Sequence, residues 1–330
     1  MAQSVHPLRT GQAVSDDDLI VRAAWAYYVE GLTQGEVAER LKLNRVRVNR
    51  MLREARERGL VQIRINSSLA VALERQVESQ FGIASTVIVP TPDDPAMVPN
   101  AIAVAAGAQV SGHLRENMSI GVGWGRTLQL SLQSMERRTI GNLTVVSLLG
   151  GLTRGSTMNA YETASRLAGL HGAECLYIAG PALADTPETR DILLQQSILK
   201  DALDHARKVD VAVVSAGALT ADTTMARLGI ISEADRLSLV EAGAVGDICA
   251  HWINKKGETI DHPVNRRVIA LPPDALRDVK TVILASGGME KVPVIRAALR
   301  RGIVHTLVTD ESTAQALLLD ESCGSGQARE

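Results

Sequence analysis

At 330 residues, with 45% hydrophobic and 22% charged side chains, the chain has the length of about two domains and the composition of a folded soluble protein. Its longest apolar runs, such as 101–108, fall well short of the ~20 residues that cross a bilayer, and the opening MAQSVHPLRTG lacks the apolar core of a signal peptide, so a cytoplasmic location is expected. The formal charge of −2 hides an asymmetry: residues 40–64 hold nine basic side chains against two acidic ones, which gives +7 there and −9 elsewhere, a polyanion-binding island on an acidic body.

Residues 1–14 read as a loose polar tail. A helix is predicted over 15–30, opened by Ser15 with Asp18 three residues on and closed by Gly31. Thr33 with Glu36 forms a capping box that starts a short second helix. Lys42, Leu43 and Asn44 make a turn, with Asn44 an N-cap for a third helix running from 45 to about 58. The alternation over 61–65 predicts a strand or wing. Residues 15–65 thus read as a winged helix-turn-helix DNA-binding domain.

At about 100° per residue, Val48, Met51, Leu52 and Ala55 share one side of the third helix, the side that must be buried. Val46, Arg50 and Arg53 point nearly opposite, flanked by Arg45 and Asn49. Arginine can bond guanine bidentately, asparagine adenine, and a valine methyl can touch thymine. Arg45 or Arg50, Asn44 or Asn49, and Val46 are therefore the expected base readers of double-stranded operator DNA. Arg53 and Arg56 are better placed for phosphates, as are Thr33 and Gln34 at the preceding helix start. Arg47 lies sideways, open to either role or to a structural pair.

Residues 66–82 read as a linker helix in which Leu69, Leu73, Val77 and Phe81 recur at helical spacing. The stripe suits pairing with another chain or packing on its own domain equally well. Strands are expected at 86–89, 119–122, 143–148, 175–178, 211–215, 267–271, 281–285 and 305–308, with helices between them. That alternation is the pattern of a mainly parallel, doubly wound α/β sheet over 83–320, before a short tail at 321–330.

Glycine-rich turns follow several of these strands. Gly123, Trp124, Gly125, Arg126 and Thr127 precede a helix, where free amides, a hydroxyl and a guanidinium can hold an anion. The turn is neither a P-loop nor a GxGxxG fingerprint. Gly150–Gly151, Ser215–Gly217 and Ser286–Gly288 follow other strands and can converge with it outside the carboxyl ends of the sheet. Lys291 opens a helix, where a cation opposes the helix dipole unless an anion is held there. Asp247 can cap backbone amides or bond ligand hydroxyls, with Asn254 just beyond it. Cys175, Cys249 and Cys323 are widely spaced and form no metal-ligand pattern, so no metal or cofactor is expected. Asp247, Glu162, His251 and His171 fall in no spacing that demands catalysis.

The chain resembles the SorC family of sugar-binding bacterial transcription regulators over nearly its whole length. The carriers are AAWAYYVEGLTQGEVAERL (23–41), VNRMLREARERGLVQIRI (48–65), IGVGWGRTL (120–128), GAVGDICAHWINKKGETIDHP (243–263) and GGMEKVPVIRAALRRGIVHTLVTDESTAQALL (287–318). The resemblance implies a winged helix-turn-helix joined to a Rossmann-like effector domain akin to phosphosugar isomerases. It implies phosphorylated sugar or polyol effectors and tetramers on DNA, with the chain acting on a catabolic operon as a repressor or an activator. The 125–127 turn and Lys291 would then hold phosphate, with Asp247, Gly150, Gly151 and Asn159 around the sugar. Asn254 stands where the family usually has aspartate, and Arg45 and Asn49 are bulkier than its usual hydroxyl residues, so effector and operator can differ. The rival reading is an isomerase-like enzyme carrying a DNA-binding module.

Overall fold

The computed structural model describes residues 15–61, 68–152, 159–221 and 223–319. The chain divides into two compact units, Met1–Arg64 and Ile65–Glu330. The first holds helices α1 (Asp16–Tyr28), α2 (Gln34–Leu41) and α3 (Arg45–Glu57). Each begins where its cap predicts. Ser15 Oγ accepts from the Asp18 amide, Thr33 and Glu36 cap each other reciprocally, and Asn44 Oδ1 accepts from the Arg47 amide at 2.8 Å. Lys42 closes α2 in the left-handed conformation, φ 54°, which turns the chain into α3. The core consists of Ile20, Ala23, Ala24 and Ala26 with Val37, Ala38, Val48, Met51, Leu52 and Ala55. The expected wing beyond Val61 and both tails lie outside the described residues.

The second unit opens with α4 (Ser68–Phe81), β1 (Ser85–Val89), α5 (Val98–His113), β2 (Ser119–Val122), α6 (Arg126–Ser131) and β3 (Thr144–Ser147). There follow α7 (Ala160–His171), β4 (Glu174–Leu176), α8 (Pro187–Gln195), α9 (Ser197–Arg207), β5 (Val211–Val214) and β6 (Ala216–Ala218). It ends with α10 (Thr224–Arg227), α11 (Glu233–Glu241), β7 (Ala244–Ile248), β8 (His251–Asn254), β9 (Thr281–Ala285), α12 (Val292–Arg301), β10 (Thr306–Asp310) and α13 (Glu311–Leu318). Seven strands form a wholly parallel sheet in the order β1-β10-β9-β5-β2-β3-β4. Their β-branched side chains are buried on both faces, as a doubly wound sheet requires. One face packs on α4, α12 and α13 through Val77, Leu284, Ile295 and Leu317, the other on α5 and α7 through Ile102, Val145 and Leu167.

The expected linker stripe packs inward. Val77 is fully buried in this core, with Leu73 and Phe81 against it; the side chain of Leu69 lies outside the description. On the same helix Glu78 and Glu74 accept from the Thr86 and Ile88 amides at 2.7 and 3.0 Å, which satisfies the open edge of β1.

Two features depart from expectation. Residues 267–271 form no strand. Their alternate backbone groups go to different partners: Gly150 N to Ile269 O, Leu271 N to Leu148 O and Ile269 N to Ala182 O, so no continuous ladder develops. Second, β6, β7 and β8 make a small antiparallel sheet that strand signals did not reveal. Its hairpin turns on Cys249 and Ala250, both at positive φ (49° and 62°), with none of the Asn-Gly chemistry that usually announces such a turn.

Candidate nucleic-acid interface and ligand site

On α3 the apolar side is sealed and the basic side is open. Val46 is 80% exposed, and Arg45, Asn49, Arg50 and Arg53 are exposed beside it. The nine basic residues of the island are not equivalent. Arg47 pairs with Asp16 at 2.8 Å, Arg58 with Asp17 at 2.7 Å, and Arg40 with Glu30. The Arg58 guanidinium holds the Asp17 carboxyl below its ordinary range. Arg50, Arg53 and Arg56 have no ion-pair partner among the described residues, so their charge faces solvent. Asn44 has its carbonyl oxygen committed to capping α3. Arg45 Nε reaches Gln34 Oε1 at 3.4 Å, across a cleft of about 720 Å³ that Thr33 and Gly35 also line. The capping box leaves the Gln34 and Gly35 amides at this helix start without intrahelical acceptors.

In the second unit the order of strands reverses between β2 and β5, and ligands of open α/β sheets bind outside the carboxyl ends at such a switch point. The turn after β2 is tied there, with the Gly123 amide donating to Val213 O at 2.8 Å. Gly125 sits at φ 124°, a conformation closed to side chains, and a Cβ on it would lie 3.5 Å from the Ser215 side chain. Arg126 and the buried Thr127 open α6 at once, and Arg126 reaches Asn100 at 3.5 Å. Trp124 turns inward among Leu149, Ala160 and Trp252.

The turns after β5 and β9 close the same edge. Ser286 Oγ donates to Ala216 O at 3.4 Å. The Gly288 amide donates to Asp310 Oδ1 at 3.1 Å and Thr313 Oγ1 at 2.8 Å. Gly217 lies opposite Asp247 in the β6–β7 ladder; a Cβ on it would meet the Asp247 carboxylate at 2.0 Å, so only glycine leaves the carboxylate its place.

Asp247 is buried, accepts from the Ala250 amide at 3.1 Å and thereby clamps the hairpin tip. Burial pushes its carboxyl up to about 6, against the pull of that amide and of Lys291. Burial likewise lowers Lys291; Arg126 presses the same way, while Glu290 and Asp247 oppose it. The charges of Arg126 and of the buried Asp247 thus both reach Lys291 at the start of α12. His251, next to the tip, donates to Cys249 O and is pushed down to about 4 by burial, so it stays neutral. Cys249 is pushed up to about 12 and stays a thiol.

The other expected ligand residues have structural roles of their own. Gly150 and Gly151 allow close packing: a Cβ would meet Pro181 O at 2.4 Å from the first and the Tyr161 ring at 2.4 Å from the second. Asn159 caps α7 and bonds both backbone groups of Leu152. Asn254 ends β8. Its oxygen accepts from Lys256 and Glu258 amides and its nitrogen donates to Glu258, which closes the turn after β8. Asp310 and Thr313 support the Gly288 turn and were not anticipated; an aspartate between a strand and a helix was the available signal. Among the described residues no three His, Cys, Asp or Glu side chains are grouped to hold a metal ion, and no helix is long and apolar enough to cross a membrane.

A family model described as "Putative sugar-binding domain" matches residues 66–319. The chain is 30% identical over 310 residues to the erythritol catabolism regulatory protein EryD of Brucella abortus, covering 93% of this chain and 98% of the relative. It is 32% identical over 317 residues to the transcriptional regulator LsrR of Klebsiella pneumoniae, covering 93% and 95%. The solved full-length sorbitol operon regulator SorC of Klebsiella pneumoniae superposes with a TM-score of 0.72 at 27% identity, over 92% of this chain and 99% of that one.

Proposed function

The chain belongs to the SorC family of sugar-binding transcription regulators, which are not enzymes, and on that premise we propose that it represses a sugar or polyol catabolic operon until a phosphorylated sugar or polyol binds at the switch point of its parallel sheet. In this reading α3 enters the major groove, with Arg45, Val46, Asn49 and Arg50 at the base edges. Thr33, Gln34 and Arg53 contact the phosphate backbone. The 123–127 turn and Lys291 hold the effector's phosphate, and Asp247 accepts from its hydroxyls. Four copies act together on the operator.

One observation carries the effector reading: the glycine-rich 123–127 turn is tied to β5 at the switch point of the parallel sheet, where Gly125 at φ 124° leaves the α6 start open and Arg126 begins the helix. An anion there meets the Arg126 guanidinium and the first amides of α6 together. Melting the full chain with free and phosphorylated C4–C6 sugars and polyols tests it. A ligand at about 100 times its dissociation constant adds about 2.7 kcal/mol of stability. The ligand that raises the melting temperature should also release operator DNA. Lys291→Ala should abolish both effects while keeping operator affinity. A Lys291→Ala chain that responds at wild-type concentrations would remove lysine from the phosphate site.

A further inference from the structure

The turn between α2 and α3 brings the starts of both helices to one cleft. Thr33 caps α2, so Gln34 is its first residue; Asn44 caps α3, so Arg45 is the first residue of α3. Tyr27, Leu32, Thr33 and Gly35 complete the lining around this pair. Arg45 Nε donates to Gln34 Oε1 across the cleft at 3.4 Å. The two partners are unequal. Gln34 is half-buried and Arg45 is exposed, so the glutamine is the fixed member and the arginine the one it holds. A guanidinium is a rigid planar fork of five N–H donors. With Nε engaged, the side edge of the fork is closed. Its end, the two terminal nitrogens, is left for a paired acceptor such as the O6 and N7 of guanine.

Gly35 marks what approaches the same cleft. It is exposed in the first turn of α2, where glycine weakens a helix. A Cβ on it would meet nothing nearer than Thr33 Oγ1 at 3.8 Å, so packing within the unit does not call for a glycine. A backbone left bare for a DNA phosphate does.

We propose that Gln34 is the positioning residue of Arg45: its amide oxygen holds Nε and presents the guanidinium end-on to a single guanine, while the amides of Gln34 and Gly35 hold the neighbouring DNA phosphate. The backbone that grips the strand then also carries the group that aims the arginine, which couples a phosphate contact to a base contact. The inference rests on α3 lying in the major groove with Arg45 at a base edge, and it makes Gln34 a determinant of base preference rather than a phosphate contact alone.

Selection of a preferred duplex from a randomised pool by the full chain supplies the probe, and competition then ranks that duplex against its single-base-pair variants. Each preference is a ratio within one variant, so a loss of stability that weakens all duplexes alike does not enter it. Arg45→Ala should lose a preference for guanine of about tenfold at one base pair, which marks the position. Gln34→Met has the same length and no amide acceptor; it should lower the preference there by about threefold or more and alter no other. Gln34→Glu keeps an acceptor at the same reach and should keep the preference, its added charge weakening all duplexes alike. Adding Gln34→Met to Arg45→Ala should remove no further preference. A Gln34→Met chain that weakens every duplex equally, or none, overturns the positioning role while the Arg45→Ala loss keeps Arg45 as a base reader. Loss of the preference in Gln34→Glu as well overturns it in the same way. An Arg45→Ala chain that keeps every base preference overturns the placement of Arg45 at a base edge and the inference with it.

Discussion

The two units carry their chemistry at opposite sequence ranges. On α3 the exposed candidates for base contact, Arg45, Val46, Asn49 and Arg50, fall within a stretch of six positions, and the buried set Val48, Met51, Leu52 and Ala55 is interleaved with them. The proposed ligand site would gather Gly125, Arg126, Gly217, Asp247 and Lys291 from turns after three parallel strands and from an antiparallel hairpin. One candidate site is written into less than two turns of one helix; the other could assemble only after the sheet has formed. Independent folding of the two units is the first thing this contrast asks to be tested. Val48 is fully buried beneath α3. Val48→Asp puts an unpaired charge there at a cost of several kcal/mol, a large part of a small unit's stability. Operator binding should vanish, while the melting transition that responds to phosphate ligands keeps its midpoint. Loss of both would show that the units fold as one.

A smaller effect probes the ligand site from within. The folded-state carboxyl of Asp247 titrates at about 6 rather than 3.8 because burial penalises its charge. A raised folded-state value favours the protonated form on folding, so the associated stability is complete below about pH 4 and is lost as pH rises through 6. By pH 7.5 that loss amounts to about 3 kcal/mol at most. Asp247→Asn removes it and can still accept from the Ala250 amide. The ligand-free variant should therefore melt above wild type at pH 7.5, with the gap closing toward pH 5. The same variant should respond poorly to effector. An Asn variant that melts below wild type at pH 7.5 would make Asp247 a structural clamp and not a carboxylate kept for a ligand.

The same contrast explains what the sequence did and did not reveal. Caps and periodicity act over three or four residues, so α1, α2 and α3 were readable to within a residue or two, and so was the buried face of α3. The parallel strands were readable because they are β-branched and buried on both sides. The sheet of β6, β7 and β8 was not, because Gly217 and Gly246 sit in it for close packing and its turn uses Cys249 and Ala250 at positive φ. Asn254 attracted attention as a departure from the family pattern, yet its hydrogen bonds are spent on its own turn.

The basic island gives the next contrast, between arginines that are free and arginines that are spent. Arg50 has no ion-pair partner among the described residues on the exposed face of α3, so a base edge is available to it. Arg50→Ala should weaken operator binding by about 1–3 kcal/mol and relax the preference at one base pair. Binding indistinguishable from wild type would require α3 to present a different face.

Arg47 should show the smallest effect, and its cause can be separated from a phosphate contact. Its guanidinium lies 2.8 Å from Asp16, with both side chains partly in solvent. Such a pair contributes about 0.2–1 kcal/mol. As a structural pair, Arg47→Ala and Asp16→Ala should each lower the melting point slightly, and the double variant should add little more. The slope of operator affinity against salt should then stay as in wild type. If Arg47 leaves Asp16 to contact a DNA phosphate, Arg47→Ala should instead reduce that slope by about one counterion, and Asp16→Ala should strengthen binding by freeing the arginine. The salt slope thus decides whether Arg47 belongs with the spent arginines, Arg40 and Arg58, or with the free ones, Arg50 and Arg53.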